Sequence, residues 1–217
     1  DRMGDPGTGL EDVGHRVLNY RDLMALERNP DVRAPSRQLD IHLTGNMERY
    51  FWSINGNSFS QAQPIQLHLG ERARFRFVNE TMMNHPMHLH GFDFRVLNKN
   101  GVQAPLKNVL DIMPMETNVI EFEAKTDGDW FFHCHILYHM MAGMNRVFAV
   151  GDYQNPLLPD KASAYKKLQR ESNMWHLMAE NDFATNGNDG MARISNARWE
   201  LGTEWRLGYN AHHGYEV

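Results

Sequence analysis

Between residues 38 and 150, apolar side chains recur at every second position in short runs that suit a pleated strand and not a helix. Leu39, Ile41 and Leu43 alternate with polar residues, as do Ile65, Leu67 and Leu69, and then Ala73, Phe75 and Phe77. A period of two puts alternate side chains on one face of a strand, and that face has to be covered. Residues 92–97, 118–123, 130–133 and 146–150 continue the series. Turn formers separate the runs, notably Asn55-Gly56-Asn57, Gly70-Glu71, Asn100-Gly101 and Asp127-Gly128-Asp129. Roughly eight short strands in about 115 residues predict an all-β sandwich.

The flanks differ in character. Residues 1–37 contain several Gly and Pro residues and one short amphipathic stretch at 20–26, and read as a linker leading into a domain at 38–152. Residues 153–217 read as a C-terminal extension, with a helix predicted over 161–177 and a turn cluster at 186–190. A long amphipathic strand then runs over 197–209. Ala197, Trp199, Leu201, Thr203, Trp205, Leu207 and Tyr209 share one face of it, opposite Arg198, Glu200, Gly202, Glu204, Arg206 and Gly208. At about 3.3 Å per residue it would span roughly 43 Å. Its alternation and aromatic ends resemble a strand of an outer-membrane barrel, and an edge hairpin packed on the sandwich is the other reading.

Composition excludes several classes. The 217 residues carry a net charge of -5 with no basic run, so no nucleic-acid partner is expected. No apolar stretch of helical membrane-spanning length occurs. The chain begins at Asp1 with no visible signal peptide, as expected of a processed product or part of a longer protein. With one cysteine, no internal disulfide can form.

That cysteine sits in the most informative segment. His133, Cys134, His135, His139 and Met144 fall within twelve positions. A thiolate, imidazoles and a thioether together favour copper, and a Cys/His/His set with a weak axial Met is the blue-copper arrangement. In an extended segment, His133 and His135 face away from Cys134, so one segment can serve two copper sites. A second motif, His85-Pro86-Met87-His88-Leu89-His90-Gly91, opens a predicted strand on which His88 and His90 share a face. His85 is expected just off that strand, held extended by Pro86. Methionines crowd both motifs at Met82, Met83, Met87, Met113, Met115, Met140 and Met141. They either fill core gaps or offer soft ligands to Cu(I).

These two motifs, H-P-x-H-L-H-G and H-C-H-x-x-x-H-x-x-x-G-M, resemble the final cupredoxin domain of multicopper oxidases. Leu43-Thr44-Gly45-Asn46-Met47-Glu48-Arg49-Tyr50 and His135-Ile136-Leu137-Tyr138-His139-Met140 resemble the CopA/PcoA-type copper-resistance branch. The resemblance implies a cupredoxin-like Greek-key β-sandwich. It implies type 1 copper on His85, Cys134, His139 and Met144, type 2 copper on His88, and the type 3 pair on His90, His133 and His135. The implied activity is oxidation of Cu(I), with oxygen reduced to water, in periplasmic copper resistance.

Two departures qualify what the resemblance carries over. The family's trinuclear cluster takes eight histidines, four of them from two H-x-H motifs in an N-terminal domain, and this chain supplies only the other half. An N-terminal cupredoxin domain or a partner chain is therefore an implied partner, alongside copper ions and oxygen. Tyr138 stands where several family members carry an acid that assists protons. Asp111 is the remaining candidate for that catalytic role, against the reading of a buried structural carboxylate. A copper-binding electron-transfer module without catalysis of its own is the competing class. A nitrite reductase is a third, and histidines on both sides of the cysteine count against it. The segment around Trp199 and Tyr209, following Met174-Trp175-His176, also resembles a CopB/PcoB-type outer-membrane protein, which would give the tail an outer-membrane association.

Overall fold

Strand alternation builds two facing sheets and, separately, a third. The computed structural model describes residues 1–46, 51–196 and 198–209, and the backbone of Tyr215–Glu216. One sheet has six strands: β1 (Arg37–Asn46), β2 (Phe51–Ile54), β4 (Arg72–Asn79), β6 (Phe94–Val96), β7 (Leu106–Lys107) and β9 (Thr117–Glu123), in the order β2-β1-β4-β9-β6-β7. The other has five: β3 (Ile65–Leu67), β5 (His85–Leu89), β8 (Val109–Ile112), β10 (Gly128–Cys134) and β11 (Asn145–Val150), in the order β3-β11-β10-β5-β8. β1 lies parallel to β4, and β3 parallel to β11, while the remaining pairs in these sheets are antiparallel. Together the two sheets form the predicted β-sandwich.

Aromatic rings join the sheets. Phe75 on β4 packs within 5.0–5.1 Å, centroid to centroid, of Phe122 and Phe148, and Phe77 stacks on Phe132 of the facing sheet. Each is at most 3% exposed, so burial and ring packing both contribute here. Asn55 and Gly56, both with positive φ (51° and 73°), make the two-residue turn between Ile54 and Asn57.

The N-terminal segment packs against the sandwich. Met3 belongs to the hydrophobic core, and the Asn98 side chain donates to the carbonyls of Tyr20 and Leu23. The amphipathic stretch at 20–26 forms only a 3-10 turn, Tyr20–Asp22, because Leu23 already has extended backbone.

The tail departs from expectation. Helix α2 (Lys161–Glu171), capped by the Asp160 side chain on the Ser163 N–H, stops six residues before the predicted end at 177. It docks by Tyr165 against Phe59. Residues 176–184, the first two of which fall within the predicted helix, instead form β12 (His176–Ala184). With β13 (Gly187–Ser195), β14 (Glu200–Gly208) and β15 (Tyr215–Glu216) they make a separate antiparallel meander in the order β12-β13-β14-β15. The long strand is thus nine residues and pairs inside its own sheet, not along an edge of the sandwich. Ala197, the pair His212 and His213, and Met47-Glu48-Arg49-Tyr50 lie outside the described residues.

Candidate metal centre

Register decides which side chains meet. On β10 and β5, His133 lies opposite His88 and Cys134 opposite Met87. Alternation then sends Cys134 into the core, fully buried, and His133 to the other face of the sheet. His85 opens β5 as its first residue, not off the strand as its place before Pro86 suggested, and pairs with Ile112 on the core side. The short helix α1 (Leu137–Met141) returns the chain so that buried His139 faces the same point.

The first cluster is His85, Cys134 and His139, whose ligand atoms all lie within 4.8 Å of one another. Cys134 Sγ is 3.7 Å from both His85 Nδ1 and His139 Nδ1, and the two Nδ1 atoms are 3.2 Å apart. Met144, also fully buried, is tied in by backbone bonds: its N–H donates to His139 O, and its carbonyl accepts from the Cys134 N–H. Burial pushes the Cys134 thiol up to about 12, and burial followed by the neighbouring His139 pushes His85 down to about 3. Burial lowers His139 as well. The pocket thus disfavours every charge on its own ligands, and a cation placed among them reverses that preference.

Trp52 covers this cluster. Its ring lies 4.1 Å from the His139 ring and 5.1 Å from that of His85, centroid to centroid. Gly45, its cross-strand partner, makes room: a Cβ there would sit 2.2 Å from the indole.

The second cluster is His88, His90 and His133, again within 4.8 Å of one another. His90 Nε2 and His133 Nε2 are 3.1 Å apart. The His88 Nδ1–H donates to Asn108 O at 2.7 Å and the His133 Nδ1–H to Cys134 O at 2.9 Å. Carbonyls only accept, so both rings present a bare Nε2 to the shared space. His135 stands at its edge, exposed, with its ring 5.7 Å from those of His88 and His133. His90 follows β5 directly, in the turn where Gly91, at φ 76°, carries the chain beneath Trp130. Burial lowers the pKa of both His90 and His133.

Asp111 belongs to neither cluster. It lies opposite Pro86, so strand alternation puts it on the same sheet face as His88, about 7 Å along the strand. Its Oδ2 accepts from Asn84 at 2.9 Å, its Oδ1 is buried without a hydrogen-bond partner among the described residues, and burial raises its pKa. Of the other histidines, His42 bonds Glu80 through Nδ1, and His68 is exposed. The sequence reading missed Trp52 and Thr81. Thr81 stands four residues before His85, which is its only signal, and Trp52 lies far from both ligand motifs in the sequence and has none.

A β-sandwich that buries a Cys/His/His/Met set on one side of a strand and gathers histidines on the other is a copper-type cupredoxin domain. The multicopper oxidase family profile matches residues 33–154, and the chain belongs to that family. A copper resistance protein A homolog of Pseudomonas syringae pv. tomato is 45% identical over 145 residues, 67% of this chain and 25% of that protein. Copper resistance protein A of Escherichia coli is 43% identical over the same length, 24% of its own. Among solved structures, the McoA multicopper oxidase of Aquifex aeolicus superposes with a TM-score of 0.51 at 27% identity, covering 58% of this chain and 32% of that one. The chain spans about a quarter of the length of these copper resistance proteins.

Proposed function

We propose that this chain supplies a periplasmic copper-resistance oxidase with its type 1 copper site and half of its trinuclear site. Cu(I) is the electron donor and oxygen the acceptor. The observation that carries this reading is the split at 133–135: Cys134 joins His85 and His139, while its neighbour His133 joins His88 and His90. The donor set fits the metal, because thiolate and imidazole in a dry, enclosed pocket suit copper and disfavour hard cations. Bound there, copper supplies one-electron exchange at the first site and oxygen reduction at the second.

The chain's own residues divide the remaining work. His85, Cys134, His139 and Met144 would hold the type 1 metal, and burial beneath Trp52 keeps water from it. His88 would hold the type 2 metal, and His90, His133 and His135 the type 3 pair. Peptide bonds from Cys134 to both neighbouring histidines give a short covalent route between the sites. Asp111, whose carboxyl burial pushes above the usual carboxylate range on the His88 side of the sheet, is the group that would handle a proton for oxygen chemistry. Exposed Met82 and Met141 flank the two ligand motifs and offer soft docking atoms to Cu(I).

A second reading, a copper-binding electron-transfer module, is favoured for the chain alone by its four trinuclear-type histidines where eight are required. Copper counting separates the two. One tight copper per isolated chain, rising to about four with oxygen consumption once an N-terminal domain or partner chain is supplied, supports the oxidase. A count that stays at one with that partner present supports the module.

The meander carries an outer-membrane proposal. Leu177, Phe183, Ile194, Leu201, Leu207 and Tyr209 share one face by strand register, and all are exposed. Glu180, Asp182, Asp189, Arg193, Glu204 and Arg206 hold the other face. Polar groups on the apolar face pair with one another: Trp205 Nε1–H donates to Asn181 Oδ1, and Asn188 Nδ2–H to Tyr209 Oη. Nine-residue strands with such faces match the dyad pattern of a bilayer-facing sheet.

A further inference from the structure

We propose that Thr81, aligned by Asn79, is the positioning residue that fixes the tautomer of His85 and so keeps its Nδ1 free for metal. The inference rests on the type 1 assignment for its consequence, but not for its geometry. Thr81 Oγ1 lies 2.8 Å from His85 Nε2, on the opposite side of the ring from the Nδ1 that faces Cys134. All three residues are buried: Asn79 is 1% exposed, Thr81 7% and His85 0%. No bulk water is available there to complete the bonding.

The direction of each bond follows from what its partners can do. Asn79 Nδ2 is surrounded by three carbonyl oxygens, those of Met83, Ile112 and Met113, at 2.8–3.1 Å. The reversed amide would set its oxygen against all three, so Oδ1 must face Thr81. That Oδ1 accepts from the Thr81 N–H at 2.9 Å and lies 2.8 Å from Thr81 Oγ1. The hydroxyl has a single proton, and both nearby oxygens, Asn79 Oδ1 and Met83 O, only accept. Its lone pairs are left for the Met83 N–H, at 3.2 Å, and for His85. Turning the hydroxyl proton toward His85 would leave lone pairs facing lone pairs on the other side. His85 must therefore donate from Nε2, and its Nδ1 carries no proton.

The second cluster uses the mirror device, with carbonyls fixing Nδ1–H on His88 and His133. An outer partner that fixes ring orientation and ligand basicity is worth typically 10–100-fold in metal affinity. The carrier here is a hydroxyl, whose own direction has to be set by a further residue, and Asn79 sets it.

The test has two arms on the full 217-residue chain. In the metal-free protein, nitrogen-15 NMR of His85 is expected to show the Nε2–H tautomer, and an Nδ1–H tautomer overturns the inference. This arm stands even if the copper assignment fails. In the second arm, Thr81→Val keeps the shape and removes the hydroxyl, while Thr81→Ser keeps it. Copper affinity is expected to fall about ten- to a hundred-fold in the valine variant with an altered visible spectrum, and to be restored by serine. Unchanged affinity and spectrum in a folded Thr81→Val protein overturn the inference. If that variant does not fold, the tautomer alone decides.

Discussion

His133 and Cys134 are joined by one peptide bond yet reach into different clusters: His133 Nε2 lies 3.1 Å from His90 Nε2, while Cys134 Sγ lies 3.7 Å from His85 Nδ1. The strand pleat separates them, because β10 turns its core face to Cys134 and its other face to His133. The two clusters are thus held apart by the width of a sheet and linked through its backbone.

The metal-free chain should lose stability in mild acid. An unfolded histidine titrates near 6.5, whereas burial, reinforced by His139, holds His85 down to about 3. Between those values the unfolded chain binds the extra proton, so this contribution is complete above about pH 6.5 and is lost as pH falls. His85 alone accounts for about 2 kcal/mol by pH 5, and His139 and His133 act in the same direction. Denaturant midpoints at pH 7.5 and pH 5 check this. Equal midpoints would refute it.

Copper uptake should release protons. The Cys134 thiol, at about 12, is protonated at neutral pH and has to ionise to bind a metal. Apparent affinity should therefore fall as pH is lowered, and a pH electrode should record about one proton from the thiol per copper bound. Cys134→Ala should abolish that proton.

Gly45→Ala should disturb the first cluster from outside it. The added methyl would lie 2.2 Å from the Trp52 ring, which sits over His139. Overpacking of this kind costs about 1–3 kcal/mol. The expected result is a lower unfolding midpoint together with a shifted copper absorption, while a spectrum identical to the parent's would show that Trp52 does not hold His139.

Asp111→Asn tests the proton role. The amide keeps the shape and the contact with Asn84 but cannot deliver a proton. In the completed oxidase, turnover is expected to fall ten-fold or more with a changed pH profile. The type 1 spectrum should be untouched. Full activity would leave Asp111 a structural carboxylate.

The tail can be tested with vesicles. Leu201→Glu combined with Phe183→Glu puts two charges on the apolar face of the meander, where both parent side chains are exposed. Parent chain should co-float with phospholipid vesicles and the double variant should not. Equal flotation of the two would place lipid contact elsewhere.

Much of this was legible in the sequence, and the reasons differ by element. Ile41, Leu43, Phe75 and Phe77 alternate cleanly because each strand has one covered face, so the sandwich could be predicted. That Cys134 and its flanking histidines face opposite ways followed from the same rule applied to residues 133–135, while the partners of each came from the motif resemblance. β12 could not be seen so easily: Leu177, Ala179, Asn181 and Phe183 alternate with Met178, Glu180 and Asp182, a mix in which Asn and Met blur both faces. Its pairing with β13 outweighs the helical preference of Leu, Met, Ala and Glu. Thr81 and Trp52 come to the site through side-chain hydrogen bonding and cross-strand packing, for which no spacing rule exists.

The central claim is that this chain holds one complete mononuclear copper site and half of another centre. The most direct measurement is copper content and visible absorption of the purified chain beside its Cys134→Ser variant. The account predicts one tightly bound copper per chain with an intense blue absorption, and loss of that absorption in the variant. A parent chain with no blue absorption, or a variant that keeps it, would contradict the account.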